Sequence, residues 1–377
     1  GPAAEAAARQ IVMPRRFGAA LALLLAIAGL CACQGEGLAR FGGAAGATTP
    51  DRAIDVFFTT PTLIYPDKPW QRQAVPLLRR FLADIDAARS SIDLASFDFD
   101  LGEITDALIR ARQRGVTVRL VIDSENLIAP ETSEQAGRFA RAGVALRADR
   151  REPFMHHKFA VIDGRLAWLG SWNMTENDTY RNNNNMLRLA SRELAADYSR
   201  EFEQLFAGRF GGSKTSDTPF PATRVGEARL AVYFSPEDGV AQHVLQRIAN
   251  ARRSIDFMAF SYTAAPIADA MIARARAGAS VRGVVEAQNA NGSQASFGQL
   301  RAAGIDVLTD GNCYMMHHKV IVIDEATVIT GSYNFTSSAE HDNDENLIII
   351  DDAAVARAYL DEFERVYRWA RNPSRCQ

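Results

Sequence analysis

The chain has 377 residues, 47% hydrophobic and 23% charged, with a formal net charge of −3. That length holds two ordinary domains, and that composition supports a buried core, which excludes a disordered or fibrous chain. The charge balance lacks the Lys/Arg excess of a general polyanion binder. This counts against nucleic acid as the principal ligand and leaves room only for a local basic groove.

The first 50 residues read as upstream residues, a leader and a tether, outside the fold. Gly1-Pro2 precedes any methionine, and Met13 is read as the start. Arg15-Arg16 and the apolar run 17–30 form the charged and hydrophobic segments of an export signal. The run is too short to cross a bilayer comfortably as a helix. Leu30-Cys31-Ala32-Cys33 resembles a bacterial lipobox with Cys33 as the lipidated residue, although Cys31 stands where a small residue is usual. The expected location is the periplasm or the outer membrane, as a lipoprotein, with plain secretion as the alternative. Residues 35–50, rich in Gly, Ala and Thr, read as a flexible tether.

From residue 51 onward the chain repeats itself. An opening strand at 55–58 corresponds to one at 231–234. Only the first copy then carries an insertion, 63–73, with Tyr65 and Trp70, a candidate substrate lip. Arg89-Ser90-Ser91-Ile92-Asp93-Leu94-Ala95-Ser96-Phe97 matches Arg252-Arg253-Ser254-Ile255-Asp256-Phe257-Met258-Ala259-Phe260, with a local shift of one residue. Helices are predicted at 103–114 and 266–277, ending at Gly115 and Gly278. Val-rich buried strands follow at 116–123 and 279–286, then helices at 134–142 and 296–303 that close on Gly143 and Gly304. The Gly-, Ser-, Thr- and Pro-rich stretch 208–227 marks the boundary between copies. The expected domains are 51–212 and 227–377 with a linker at 213–226. Alternating strands and helices predict an α/β fold. Each half is a mostly parallel mixed sheet flanked by helices, and the two halves pack about a pseudo-twofold axis.

The chemistry sits at the end of each copy. His156-His157-Lys158-Phe159-Ala160-Val161-Ile162-Asp163 returns as His317-His318-Lys319-Val320-Ile321-Val322-Ile323-Asp324. At the same distance downstream come Gly170-Ser171-Trp172-Asn173 and Gly331-Ser332-Tyr333-Asn334. Four apolar residues between Lys and Asp read as a buried strand, and residues two apart on a strand share a face, so each His and Lys point together. The Gly-Ser-x-Asn turn ends the next strand (166–169; 327–330) and returns a hydroxyl and an amide to the same place. Two His, two Lys, two Asn and two Ser make a site for a tetrahedral anion. Trp172 and Tyr333 are expected to line its substrate pocket. Asp163 and Asp324, at the far strand ends, read as structural partners.

These residues resemble the two HKD motifs of the phospholipase D superfamily, and the resemblance runs from about residue 51 to the C-terminus. It implies two phospholipase D-like halves sharing one active site, in one chain and therefore in a monomer with no obligate protein partner. It implies a phosphodiesterase, with phospholipid at a membrane surface as the leading substrate and a nuclease acting on DNA or RNA as the alternative. One histidine attacks phosphorus, and the other protonates the leaving alkoxide and then activates water or an alcohol. No Cys/His spacing suggests zinc, and Lys beside each His disfavours a cation, so no metal or cofactor is expected. Cys313 and Cys376, the two cysteines outside the signal, are compatible with one disulfide.

The copies differ after the turns, where Asn182-Asn183-Asn184-Asn185 stands against Asn343-Asp344-Glu345-Asn346. In the family, the position of Glu345 often carries an acid that hydrogen-bonds the catalytic histidine. A carboxylate beside His317 is expected to raise its pKa by roughly one to three units, and Asn184 beside His156 to leave that ring neutral. On this reasoning His156 is the nucleophile and His317 the general acid. The same asymmetry resembles that of tyrosyl-DNA phosphodiesterases.

Overall fold

The two motif strands show why this sequence folds into a sheet covered on both faces. Their four consecutive apolar residues leave no polar face for water, and a strand of that kind needs packing above and below. In the computed structural model of the protein, which describes residues 53–59, 65–292 and 295–372, both strands are buried along their whole length. The expected export signal with Cys33, residues 63 and 64 of the insertion and Cys376 lie outside the described residues. Cys313 is disulfide-bonded.

The first half contributes seven strands: β1 (Ile54–Phe58), β2 (Ser91–Ser96), β3 (Thr117–Ile122), β4 (Ala145–Ala148), β5 (Lys158–Ile162), β6 (Leu166–Gly170) and β7 (Asn185–Ala190). They lie in the order β1-β7-β6-β5-β2-β3-β4. The second half contributes eight: β8 (Ala222–Val225), β9 (Ala228–Ser235), β10 (Ser254–Ala259), β11 (Ser280–Val285), β12 (Asp306–Thr309), β13 (Lys319–Ile323), β14 (Thr327–Gly331) and β15 (Glu345–Asp351). Their order, β12-β11-β10-β13-β14-β15-β9-β8, repeats the first with one added edge strand. Both sheets are mixed, but the parallel part is smaller than the sequence suggested. Only β2-β3-β4 and β10-β11-β12 run parallel. The motif strand and the strand after it are joined by a tight turn at Asp163-Gly164 or Asp324-Glu325, and a turn that short forces antiparallel pairing.

Helices α1 (Pro76–Ala87), α2 (Gly102–Gln113) and α3 (Pro130–Arg141) belong to the first half, with α4 (Glu176–Tyr180) and α5 (Arg192–Phe206) after its motif. The second half repeats this with α6 (Val240–Ala249), α7 (Ala265–Arg276), α8 (Ser296–Ala302), α9 (Ser337–His341) and α10 (Ala353–Arg371). Gly115 and Gly278 take φ of +91° and +99°, the left-handed conformation that stops α2 and α7 as the sequence indicates. One apolar core fills the outer face of each sheet. A third is shared by both halves: Phe159, Tyr198 and Phe202 meet the same cluster as Phe234, Val320, Tyr359 and Phe363.

The expected linker is more ordered than its composition implies. Residues 222–225 of it form β8, paired with β9. Lys214 is buried and ion-paired with Glu201, Glu237 (3.0 Å) and Asp344 (3.1 Å), which joins the connection to both halves. Burial by itself would lower the Lys214 pKa, but the three carboxylates drive it up, so this ammonium stays charged.

Asp163 and Asp324 have the structural role expected of them. Asp163 accepts the backbone N–H of Arg89, Ser90 and Ser91 at 2.7–3.1 Å, and Asp324 repeats the pattern with Arg252, Arg253 and Ser254. Both sit at φ +53°, a conformation that Asp tolerates better than most residues. Partial burial opposes ionisation of Asp163, yet the hydrogen bonds from Ser90, Ser91 and Arg89 leave its pKa below the ordinary value. Its contribution is therefore present above the unfolded carboxylate pKa of about 3.9 and lost as pH falls through the lower folded value. Asp163→Ala is expected to destabilise the fold by about 2 kcal/mol at neutral pH. Urea melts at pH 7 and pH 3 should show that difference shrinking in acid.

Candidate active site

Each motif histidine lies just ahead of its strand, where the sheet edge opens into a cavity of about 590 Å³. His156 and His317 both line it, each more than nine-tenths buried. Behind them, Lys158 Nζ donates to the His156 carbonyl at 2.7 Å and Lys319 Nζ to the His317 carbonyl at 2.9 Å. An aromatic ring steadies each pair. Phe97 lies edge-on to His156 (4.8 Å) with Lys158 Nζ over its face, and Phe260 does the same for His317 (4.6 Å) and Lys319.

The partners of the two imidazoles are exchanged between halves, and this corrects the pairing expected from sequence. Glu345 belongs to His156: its Oε2 accepts from Nδ1 at 2.7 Å. Asn184 belongs to His317: its Oδ1 accepts from Nδ1 at 2.8 Å. The reason is in the backbone. Met155 and Asp344 form a β-bridge, with His156 N donating to Asp344 O and Asp344 N to Phe154 O. Asn183 and Met316 form the matching bridge, closed by His317 N to Asn183 O and Asn183 N to Met315 O. The residue after each bridge is thereby presented to the other half's histidine. In both rings Nδ1–H is engaged, so the Nε2 lone pair is the atom left for chemistry.

The second histidine of each motif has a different task. Asn346 Nδ2 donates to His157 Nδ1 at 3.2 Å, so His157 Nε2–H donates to Glu201 at 2.8 Å. His318 repeats this with Asn185 (3.0 Å) and Glu362 (3.0 Å). These bonds hold the motif strand against α5 or α10 and against the facing half.

Asn173 and Asn334 line the cavity as expected, and the Oδ1 atom of each is buried with no hydrogen-bond partner among the described residues. Ser171 and Ser332 do not reach the cavity. Both are fully buried; Ser171 Oγ donates to Asn184 Oδ1 at 2.8 Å, and the Ser332 side chain hydrogen-bonds Glu345. Each hydroxyl thus braces the partner of a histidine. Trp172 and Tyr333 are core residues and not pocket walls: Trp172 packs on Phe81 and donates to Thr179, and Tyr333 donates to Glu340. The ring at this position alternates away from the turn's amide, into the apolar layer behind.

Burial dominates the electrostatics. It lowers the pKa of His156 and of His317 well below the ordinary histidine value, and Lys158 and Lys319 deepen the effect on each. Lys158 is itself brought down to about 8 by burial, and Lys319 is lowered in the same direction. Glu345 is pushed up to about 7 by burial, which outweighs the attraction of Lys158. These shifts favour neutral imidazoles with the two lysines behind them. An anion arriving there offsets the lysines and lets one imidazole take a proton.

Several contributors were not named from sequence. Phe97 and Phe260 stood in the matched segments, so the repeat did carry their signal. Asp178, 3% exposed at the cavity wall, carried none, because the equivalent position of the second half is Ala339. The insertion lies beside the cavity: the Asp67 backbone N–H bonds to the hydroxyl of Tyr314, next to the wall residue Met315. Arg72 and Arg181 both pair with Asp67, and Arg72 also with Glu176. Trp70 remains 80% exposed there.

Comparison with known proteins agrees with this geometry. Residues 81–206 and 244–367 each match the family described as Cardiolipin synthase, PLD-like domain. The chain belongs to the phospholipase D superfamily. It is 34% identical over 129 residues to a mitochondrial cardiolipin hydrolase of Chlamydomonas reinhardtii, covering 34% of this chain and 57% of that one. It is 33% identical over 165 residues to a phospholipase D of Rickettsia bellii, covering 42% and 81%. The chain thus spans little more than half the length of the cardiolipin hydrolase it matches. The phosphatidylserine synthase of Haemophilus influenzae has the same fold, with a TM-score of 0.61 at 13% identity, over 78% of this chain and 84% of that one.

The exchanged pairing can be tested without turnover. Glu345→Gln removes the negative charge on His156 and should lower the pKa of that imidazole by a further one unit or more, leaving His317 nearly unmoved. An NMR titration of the histidine Hε1 resonances reads this directly. A shift confined to His317 would restore the pairing expected from sequence.

Proposed function

We propose that this protein is a phosphodiesterase that cleaves phospholipids in two steps through a phosphohistidine. The observation that carries the reading is the pair of imidazoles at one cavity, each held through Nδ1 by a partner from the other half, with no hydrogen bond to either Nε2 among the described residues. Two free imidazole nitrogens around a single anion supply a nucleophile and a proton carrier together.

His156 is the nucleophile, for a reason opposite to the one drawn from sequence. Attack through Nε2 forms the N–P bond and breaks the P–O bond to the leaving group, and the ring becomes cationic. The Glu345 carboxylate on Nδ1–H stabilises that charge, which an amide cannot do. His317, protonated once the anionic substrate is bound, gives its Nε2 proton to the departing alkoxide. Now neutral, it takes a proton from water or an acceptor alcohol, whose oxygen attacks phosphorus; the N–P bond breaks and its electron pair returns to His156. Lys158 and Lys319 hold the negative phosphoryl oxygens through their field, and Asn173 and Asn334 through their amide N–H groups.

Phospholipid is favoured over nucleic acid by the walls. Phe97, Phe154, Phe260 and Met315 line the cavity beside Asn and Thr residues, while among the described residues no Lys or Arg lines it and Asp98 and Asp178 do. A polyanion would meet carboxylates where it needs cations; a diester with apolar substituents meets aromatic rings. The names of the relatives, cardiolipin hydrolase and phospholipase D, support the same choice. Export and a lipid anchor at Cys33 with the 35–50 tether belong to this proposal, since they would hold the cavity beside a membrane.

Purified protein in EDTA should release headgroup from labelled phospholipid vesicles, with vanadate inhibiting, and leave single- and double-stranded DNA intact. His156→Ala should abolish both turnover and acid-labile phosphate on the protein. His317→Ala should still accumulate phosphoenzyme from a nitrophenyl phosphodiester, whose leaving group needs no proton. Cleavage of DNA in preference to vesicles would move the substrate to nucleic acid. Label on His317 would exchange the two roles.

A further inference from the structure

Glu345 leaves a question at the other imidazole. His317 must carry a positive charge when it acts as the acid, yet its Nδ1 partner is the neutral Asn184. Around it stand Lys319 and His318 on its own segment, and Lys158 and His156 from the facing half, all disfavouring a further proton. Asp98, beyond the end of β2, and Glu345 act on Lys158. The carboxylate nearest His317 is that of Asp178, whose Oδ2 lies 3.6 Å from Nδ1, beyond a hydrogen bond and within ion-pair range. This carboxylate acts on Lys158 and Lys319 as well.

We propose that Asp178 is the positioning residue of His317, supplying from α4 the negative charge that Glu345 supplies to His156 and that Asn184 lacks. The proposal rests on the two-histidine reading above and adds to it the source of the acid's charge. Two features of the fold separate it from a turn-stabilising role. First, the second half builds the same turn with Ala339 where the first half has Asp178, its nearby Glu340 being engaged by Tyr333 and the Ala241 N–H instead. Thr336 caps α9 by accepting from Ala339 N at 3.2 Å, just as Thr175 accepts from Asp178 N at 3.2 Å. Second, the Asp178 side chain is held in place by groups that belong to the site. Its Oδ2 accepts the backbone N–H of Asn173 at 2.8 Å and its Oδ1 accepts from Asn182 Nδ2 at 2.6 Å, both cavity-lining residues. Its own carbonyl receives Asn184 Nδ2 at 3.3 Å. Asp178 thus reaches His317 by charge, and sets the orientation of the amide that holds Nδ1.

The test is Asp178→Asn, alone and with Asn184→Asp, in the full chain. Asn184 Oδ1 already touches His317 Nδ1, so aspartate there returns a carboxylate to the ring by the shorter route used at His156. NMR titration should show the His317 imidazole pKa lowered by about one unit in Asp178→Asn and restored in the double variant. At neutral pH, turnover of a diester with an alkyl leaving group should fall about tenfold per unit of that shift, and the double variant should recover it. The rate of phosphoenzyme formation from the nitrophenyl diester, read as the burst of nitrophenol, should change less than about twofold, since no proton is needed in that step. Equal loss with both diesters and no recovery in the double variant would mean a structural role and overturn the proposal. An unmoved His317 titration would overturn it equally. If the parent protein turned over neither diester, the phosphodiesterase reading would fail, and the His317 titration would still decide the role of Asp178.

Discussion

Two short backbone bridges, Met155 with Asp344 and Asn183 with Met316, fix the rest of the site. They are few hydrogen bonds, but they lie where both sheets run out of regular pairing. Each sets the residue that follows it against the histidine of the opposite half. Given these bridges, Nδ1 of both rings is occupied and Nε2 of both rings points to the cavity. Without them the same side chains would be two unrelated strand ends. The apolar core shared by the halves keeps the bridges in register, and the buried Lys214 cluster joins the connecting segment to the same place.

The site is built from groups that burial alone would neutralise. Lysines and imidazoles are lowered, Glu345 is raised, and each depends on the others for what charge it keeps. A low-dielectric pocket makes every such interaction stronger and every mismatch more costly. On the proposed reading, a single tetrahedral anion is the occupant that completes this charge balance. Phe97 and Phe260 pack against the imidazoles without adding charge of their own.

Much of this was legible in the chain because it is written twice. The repeated His-x-Lys and Gly-Ser-x-Asn segments gave the fold class and both histidines, and the repeated glycines gave the helix ends. What failed were statements about which residue meets which across the halves. Sequence spacing places Glu345 nearer to His317, and only the exchanged bridge takes it to His156. The same limit applied to Trp172 and Tyr333, whose neighbours in sequence face the cavity while their own rings turn into the core. Asp178 was invisible for the opposite reason: it has no counterpart in the repeat, and an unrepeated aspartate on a short polar helix carries no mark. The parallel character of the sheets was overstated because alternating helices and strands signal crossovers, whereas the motif hairpin contributes antiparallel pairs.

The exchange has a hereditary consequence. Were the two halves separate copies of one gene product, any change at the partner of one imidazole would appear at the other as well. Joined in a single polypeptide, the two positions are encoded apart and can diverge. Position 184 holds an amide and position 345 a carboxylate, so two chemically identical rings stand in different surroundings. A division of labour between them, as proposed above, therefore needs no more than single substitutions at these two positions, without a change of fold.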